Sequence, residues 1–114
     1  MPCIQIQTSC SICTNAKESI KAKLGKAIEV LPGKSENWLM VTMQDEMTIY
    51  FKGNQVGESA FVKVGVYGDA DGRAFNTLTE KICRILNEEL GIAPSRIYVQ
   101  YEATAHWGWN GANF

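Results

Sequence analysis

The sequence has little of what marks several familiar classes of protein. Its four cysteines, at positions 3, 10, 13 and 83 of 114 residues, are too few and too irregularly spaced for a disulfide scaffold. No stretch approaches the ~20 apolar residues of a membrane helix, and the first residues lack the basic and apolar regions of a signal peptide. We therefore expect reduced thiols and a cytoplasmic protein, which could be secreted only by a route without a signal peptide.

The sequence also lacks an excess of charge of either sign. Eleven Lys and Arg against 12 Asp and Glu give a net charge of −1, and the cations are spread along the chain. A nucleic-acid-binding domain usually carries a basic stripe, and a protein that binds an anionic membrane carries a basic cluster. We expect neither kind of partner, which leaves small molecules and proteins.

Two helical patterns, each between two strand-like runs, account for most of the chain. The first helix is predicted from an apolar stripe over 16–31, with Asn15 and Glu18 as its cap, and the second from a stripe over 75–90 that Gly91 ends. The predicted strands cover residues 3–8, 38–43, 60–67 and 96–101. Residues 47–51 and 106–109 resemble short extra strands.

The two halves of the chain superpose at an offset of 58 positions. This offset places Gly33 on Gly91 and Val41 on Val99, which indicates a duplicated β-α-β unit. Right-handed crossovers then predict a four-stranded mixed sheet with both helices on one face, an α+β fold. Residues 1–114 are expected to form a single domain.

The two faces of the predicted sheet differ in polarity. One is apolar and is expected to lie under the helices; it comprises Ile4, Ile6, Leu39, Val41, Met43, Val62, Val64, Val66, Ile97 and Val99. The other is mixed and comprises Cys3, Gln5, Gln7, Trp38, Met40, Phe61, Tyr67, Tyr98 and Gln100. A face that is too apolar for water and too polar for a dry core is expected at a subunit interface that also holds a ligand or solvent.

Pro2 is the most informative single residue. Removal of Met1 would make it a free secondary amine at the start of a strand. A terminal amine ordinarily titrates near 7.7–8.0, and burial beside another cation lowers that pKa, so that the neutral amine can act as a base. Read alone, Pro2 would only permit trimming of the methionine.

Four segments in register resemble the macrophage migration inhibitory factor family of the tautomerase superfamily. They are Met1-Pro2-Cys3, Gly33-Lys34, the run from Ile92 to Val99, and the ending from Gly108 to Phe114. The similarity extends over essentially the whole chain. It implies a homotrimer with three active sites at subunit boundaries and Pro2 at the base of each.

The resemblance also implies the residues around Pro2. Lys34 matches directly, and so does Tyr98, which in the family reaches the site from the neighbouring subunit. Gln100 stands where the family has asparagine, and Tyr67 corresponds to a residue whose backbone N–H contacts substrate. The aromatic wall would come from Trp38, Trp107, Trp109 and Phe114. The segment between Tyr101 and Gly108 is about two residues shorter than in the mammalian proteins, which would alter the pocket.

The implied reaction is keto-enol tautomerisation of a phenylpyruvate-like or dopachrome-like carbonyl carboxylate, with no metal and no cofactor. Pro2 would move the proton, Lys34 would bind the carboxylate, and Tyr98 with the N–H near Tyr67 would stabilise the oxyanion. Each residue has a structural alternative: Lys34 could serve the helix dipole, and the tryptophans could form a hydrophobic plug.

Two other functions remain open. Members of the family act as cytokines, so a host or self receptor is an alternative partner, with catalysis vestigial. The motif Cys10-Ser11-Ile12-Cys13 precedes a helix, where a lowered thiol pKa would suit thiol-disulfide exchange. The surroundings of this motif lack the tryptophan and cis-proline of a thioredoxin site, which makes that alternative the weaker one.

Overall fold

A computed structural model describes all 114 residues. The strands and helices are β1 (Pro2–Thr8), α1 (Thr14–Ala27), β2 (Met40–Gln44), β3 (Ala60–Tyr67), α2 (Gly72–Leu90), β4 (Ile97–Thr104), β5 (Gly108–Trp109) and β6 (Ala112–Asn113). Short 3-10 helices cover Ile28–Val30, Glu36–Trp38 and Pro94–Arg96. No helix combines the length and the apolar character needed to cross a lipid bilayer.

The four long strands form one mixed sheet in the order β2-β1-β3-β4. The outer pairs β1–β2 and β3–β4 are parallel, and the central pair β1–β3 is antiparallel. The offset of the duplication holds in three dimensions, because β1 and β3 begin at Pro2 and Ala60 while α1 and α2 begin at Thr14 and Gly72. The predicted architecture is confirmed.

Both helices cover one face of this sheet. Ile4 and Ile6 on β1 and Val62 and Val64 on β3 are at most 1% exposed and lie in one cluster with Leu24 and Ile82 from the helices. The residues between them on the strands, such as Gln5, point to the other face. Alternation of buried and open positions therefore follows the predicted parity.

The predicted cap of the first helix is wrong. Lys17 N–H donates to the carbonyl of Cys13 at 2.9 Å, so the helix begins at Thr14, two residues before the apolar stripe, and Asn15 lies inside it. Cys13 is the N-cap and makes no side-chain capping bond. Periodicity locates the buried stripe, but an exposed first turn carries no apolar signal.

The predicted short strands are also corrected. Residues 47–51 form no strand: Met47 N–H donates to the Thr8 carbonyl at 2.9 Å, and a single bridge joins Phe51 to Asn54, but no continuous ladder forms. In the segment 106–109, only Gly108–Trp109 is extended, paired with Ala112–Asn113. Asn110 and Gly111 turn the chain between them with φ of 53° and 85°, which the residue pair Asn-Gly tolerates.

Candidate active site at the chain start

The first two residues lie in a partly enclosed position at the end of the sheet. Pro2 is buried, and it pairs with Val66 on β3. Burial lowers the pKa of the Met1 amino group, and the nearby ammonium of Lys34 lowers it further by its charge and a hydrogen bond. An amine at this point of the fold is therefore biased towards its neutral form.

The backbone of Tyr67 joins Lys34 to the chain start. Lys34 Nζ donates to the Tyr67 carbonyl at 2.8 Å, and Tyr67 N–H donates to the Met1 carbonyl at 3.1 Å. Because the Met1 carbonyl is bonded to the Pro2 nitrogen, this N–H lies beside that nitrogen. If Met1 is removed, its carbonyl leaves with it, and the Tyr67 N–H loses its acceptor.

Aromatic side chains wall a cleft of about 730 Å³ in front of Pro2. Trp38 and Trp109 meet edge to face with ring centroids 5.2 Å apart. The ring of Trp107 lies over Gly65, 3.8 Å from the position that a Cβ there would occupy. These three tryptophans and Pro2 line the same cleft, as the resemblance implies.

Trp38 differs from its predicted position in a strand. It ends the 3-10 helix Glu36–Trp38, and β2 starts only at Met40. The segment lies against α1, where the Glu36 carboxylate occupies the space that a side chain on Gly25 would need. The 3-10 helix therefore places Trp38 outside the sheet. Trp38 is 51% exposed and lies beside Trp109.

Lys34 and Tyr67 line a different cleft from the three tryptophans, and Phe114 contacts both Tyr67 and Trp109. Lys34 and Tyr67 line a second cleft, of about 560 Å³, together with the loop that contains Asp69. Phe114 packs on Tyr67 with centroids 5.1 Å apart and is held by its N–H to the Trp107 carbonyl at 3.0 Å. The chain start therefore lies near two clefts, one walled by tryptophans and one that holds Lys34 together with Asp69 and Asp71.

Tyr98 and Gln100 do not reach this place within one chain. Pro2 pairs with Val66, and Val66 pairs with Ala103 on β4. Tyr98 lies five residues before Ala103, which is about 17 Å along an extended strand. Its ring, 65% exposed, instead meets Phe51 at 5.3 Å. The site of a single chain lacks both side chains.

Sequence reasoning missed several residues at this site. Asn37, Lys63 and His106 line the aromatic cleft beside Cys3 and Gln5. Lys63 could have been found from strand parity, since it pairs with Gln5 and shares its face. Asn37 and His106 lie outside the long strands, so no periodic pattern indicates where their side chains point.

The Cys10 and Cys13 motif does not have the electrostatics of a thiol-disulfide exchange site. Burial raises the pKa of the Cys10 thiol, which disfavours the thiolate needed for exchange. Both cysteines are free, and Cys13 is exposed at the start of α1. The proximity of a helix N-terminus alone therefore does not activate Cys10.

The fold and the site define the class of protein. The family model "Macrophage migration inhibitory factor (MIF)" matches residues 1–114. Curated relatives include macrophage migration inhibitory factor of Meriones unguiculatus, 26% identical over 89% of each chain. The Xenopus laevis protein is 25% identical over 100% of this chain and 99% of its own.

Solved structures agree with these sequence relationships. Leishmania major MIF2 superposes with a TM-score of 0.92 and 32% identity over 100% of this chain and 97% of that one. The homologue from Prochlorococcus marinus gives a TM-score of 0.83 and 30% identity over 98% of both chains. The chain belongs to the macrophage migration inhibitory factor family and has its tautomerase-type fold.

Proposed function

We propose that this protein is a keto-enol tautomerase whose catalytic base is the secondary amine of Pro2, exposed by removal of Met1. The observation that carries the proposal is the position of the chain start, buried and close to the Lys34 ammonium, which lowers the pKa of the terminal amine, first by burial and then by the charge of Lys34. Pro2 is buried at the start of β1, where it pairs with Val66. A neutral amine at physiological pH can accept a proton from carbon.

Lys34 and the Tyr67 N–H would bind the oxygens of the substrate. The Met1 carbonyl oxygen marks a position that accepts a hydrogen bond from Tyr67 N–H beside the Pro2 nitrogen. After trimming, a substrate oxygen could take this position. Lys34, already directed to the Tyr67 carbonyl at 2.8 Å, would hold the carboxylate of the same molecule.

The aromatic cleft supports an aromatic keto acid as substrate, phenylpyruvate-like or dopachrome-like. Trp38, Trp107 and Trp109 would hold the ring. In the keto-to-enol direction, the Pro2 nitrogen would take a proton from the carbon next to the carbonyl and deliver it to the carbonyl oxygen. In the enol-to-keto direction, it would take the proton from the oxygen and deliver it to the carbon. In both directions Tyr67 N–H would stabilise the developing oxyanion. These steps require no metal or organic cofactor.

A homotrimer would complete the site. Tyr98 and Gln100 lie too far from their own Pro2, yet both are exposed on the sheet face that the helices leave open. The same face carries Met40, 63% exposed, and large exposed apolar groups favour association. A neighbouring chain on this face would supply Tyr98 and Gln100 to the Pro2 of its partner.

The test is the rate of phenylpyruvate tautomerisation by the trimmed protein and by its Pro2→Gly variant, with intact mass confirming the loss of Met1. General acid-base catalysis contributes about 10²–10⁴-fold, so we expect kcat/KM to fall at least 100-fold. A matched thermal melt controls for folding. Equal rates in the two proteins would reject Pro2 as the base, and absence of activity in both would favour a receptor-binding role.

A further inference from the structure

The two helices concentrate positive charge that the sequence spreads along the chain. They carry seven of the 11 Lys and Arg side chains but only four of the 12 carboxylates, so the helical layer is net positive and the rest of the chain net negative. This layer covers the sheet face opposite to the one that carries Tyr98. Cations that are spread along the sequence therefore share this surface.

Several of these cationic side chains line a recess between the two helices. The recess has a volume of about 270 Å³ and is lined by Lys23 and Lys26 from α1 and by Lys81, Arg84 and Glu88 from α2. Ala27 and Ile85, each 6% exposed, contribute apolar surface to it. Four cations and one carboxylate thus surround a space large enough for a small anion.

The cations of this recess are not equally neutralised. Lys23 is held by Glu88 and Glu89, each at 3.1 Å. Lys26, Lys81 and Arg84 have no carboxylate within 4.0 Å among the ion pairs of the chain. Three unpaired cations on two helices therefore line the recess, and their mutual repulsion would fall on binding of an anion.

We propose that this recess binds a compact diphosphate group. A diphosphate brings about three to four negative charges, matching the three unpaired cations, and the planar guanidinium of Arg84 can bind phosphate oxygens in a bidentate manner. The carboxylates of Glu88 and Glu89 border the cationic part and would repel an extended polyanion. The chemistry therefore favours a small phosphorylated ligand over a nucleic acid or a membrane surface.

The probe for this site is inorganic pyrophosphate, titrated calorimetrically into the whole protein at fixed ionic strength. We expect one saturable site per chain. The double variant Lys81→Gln with Arg84→Gln is expected to raise Kd at least tenfold, whereas Lys17→Gln, an exposed cation on α1 outside the recess, changes it less than twofold. Thermal melts of all variants check folding.

Several outcomes would overturn the proposal: no saturable binding, equal weakening by Lys17→Gln, or equally tight binding of sulfate. A titration with ADP tests whether the diphosphate belongs to a nucleotide or to a free inorganic anion. Binding tenfold tighter than pyrophosphate would support a nucleotide, and similar or weaker binding would support a free inorganic anion. Pro2→Gly should bind pyrophosphate unchanged, so this site and the tautomerase assignment fail or succeed separately.

Discussion

The two halves of this chain share a fold but use one equivalent position in opposite ways. Gly33 and Gly91 are related by the offset of 58, and both adopt a left-handed backbone with φ of 75° and 68°. The next residue in the first half is Lys34, whose ammonium reaches Tyr67 and the chain start. The next residue in the second half is Ile92, which is 0% exposed in the core.

The comparison shows how a duplicated scaffold can hold one site. Both glycines take a left-handed φ, which costs glycine little. Gly91 caps α2 directly, whereas Gly33 follows the 3-10 helix Ile28–Val30. What differs is the surroundings: the first half begins with β1 at Pro2, close to the Lys34 ammonium, and the second half begins with β3 at Ala60. Exchanging the paired residues tests this account.

The largest effect is expected from Ile92→Lys, which gives the second half the residue of the first. A lysine there would bury an unpaired charge in the core, so we expect the free energy of unfolding to fall by at least about 3 kcal/mol. Urea titration measures it. The control Ile92→Met, similar in volume and neutral, should cost less than about 1.5 kcal/mol. Equal stability of the two variants would contradict the buried role of this position.

The reverse exchange, Lys34→Ile, should keep the fold intact but reduce the catalytic efficiency of the site. Lys34 is half-buried and has one hydrogen bond to a backbone carbonyl, so unfolding should change by only about 1 kcal/mol. Loss of a charged hydrogen bond to the substrate carboxylate, about 1.5–3 kcal/mol, should lower kcat/KM for phenylpyruvate about 10- to 100-fold. Unchanged kinetics would remove Lys34 from the site.

The smallest effect is expected at the helix starts, where the offset pairs Cys13 with Asp71. The Asp71 side chain accepts from Arg73 N–H and Ala74 N–H at 3.2 and 3.1 Å, whereas Cys13 makes no such bond. Cys13→Asp should therefore stabilise the protein by about 0.5–1 kcal/mol, and Asp71→Ala should destabilise it by about 1 kcal/mol. Thermal melts check both, and a destabilising Cys13→Asp would show that the two helix starts are not equivalent.

The repeat itself was predictable, because apolar residues mark buried stripes and strand faces. The bounds of β3 and the helix end at Gly91 follow from such patterns. The start of α1 at Thr14 was not predictable in this way, since its first turn is exposed. Nor was the course of residues 45–58, which leave the edge strand and are held by isolated hydrogen bonds, such as Met47 N–H to the Thr8 carbonyl, and by one bridge.

The candidate site was predicted mainly through family resemblance. Pro2, Lys34 and the three tryptophans gather at the chain start. The hydrogen bond from Tyr67 N–H to the Met1 carbonyl could not be predicted, because it depends on backbone positions that no side-chain pattern records. The distance of Tyr98 from Pro2, by contrast, follows from strand order and register once those are known.

The central claim is that an amine at the chain start, kept neutral by burial and Lys34, is the base. The most direct measurement is an NMR titration of the Pro2 amine in the trimmed protein, with the pH profile of kcat/KM measured alongside. The account predicts that activity rises as the amine loses its proton, with one shared midpoint below the ordinary range of about 7.7–8.0, and with a higher midpoint in Lys34→Ile. A midpoint within or above that range, or a rate that does not follow the titration, would contradict it.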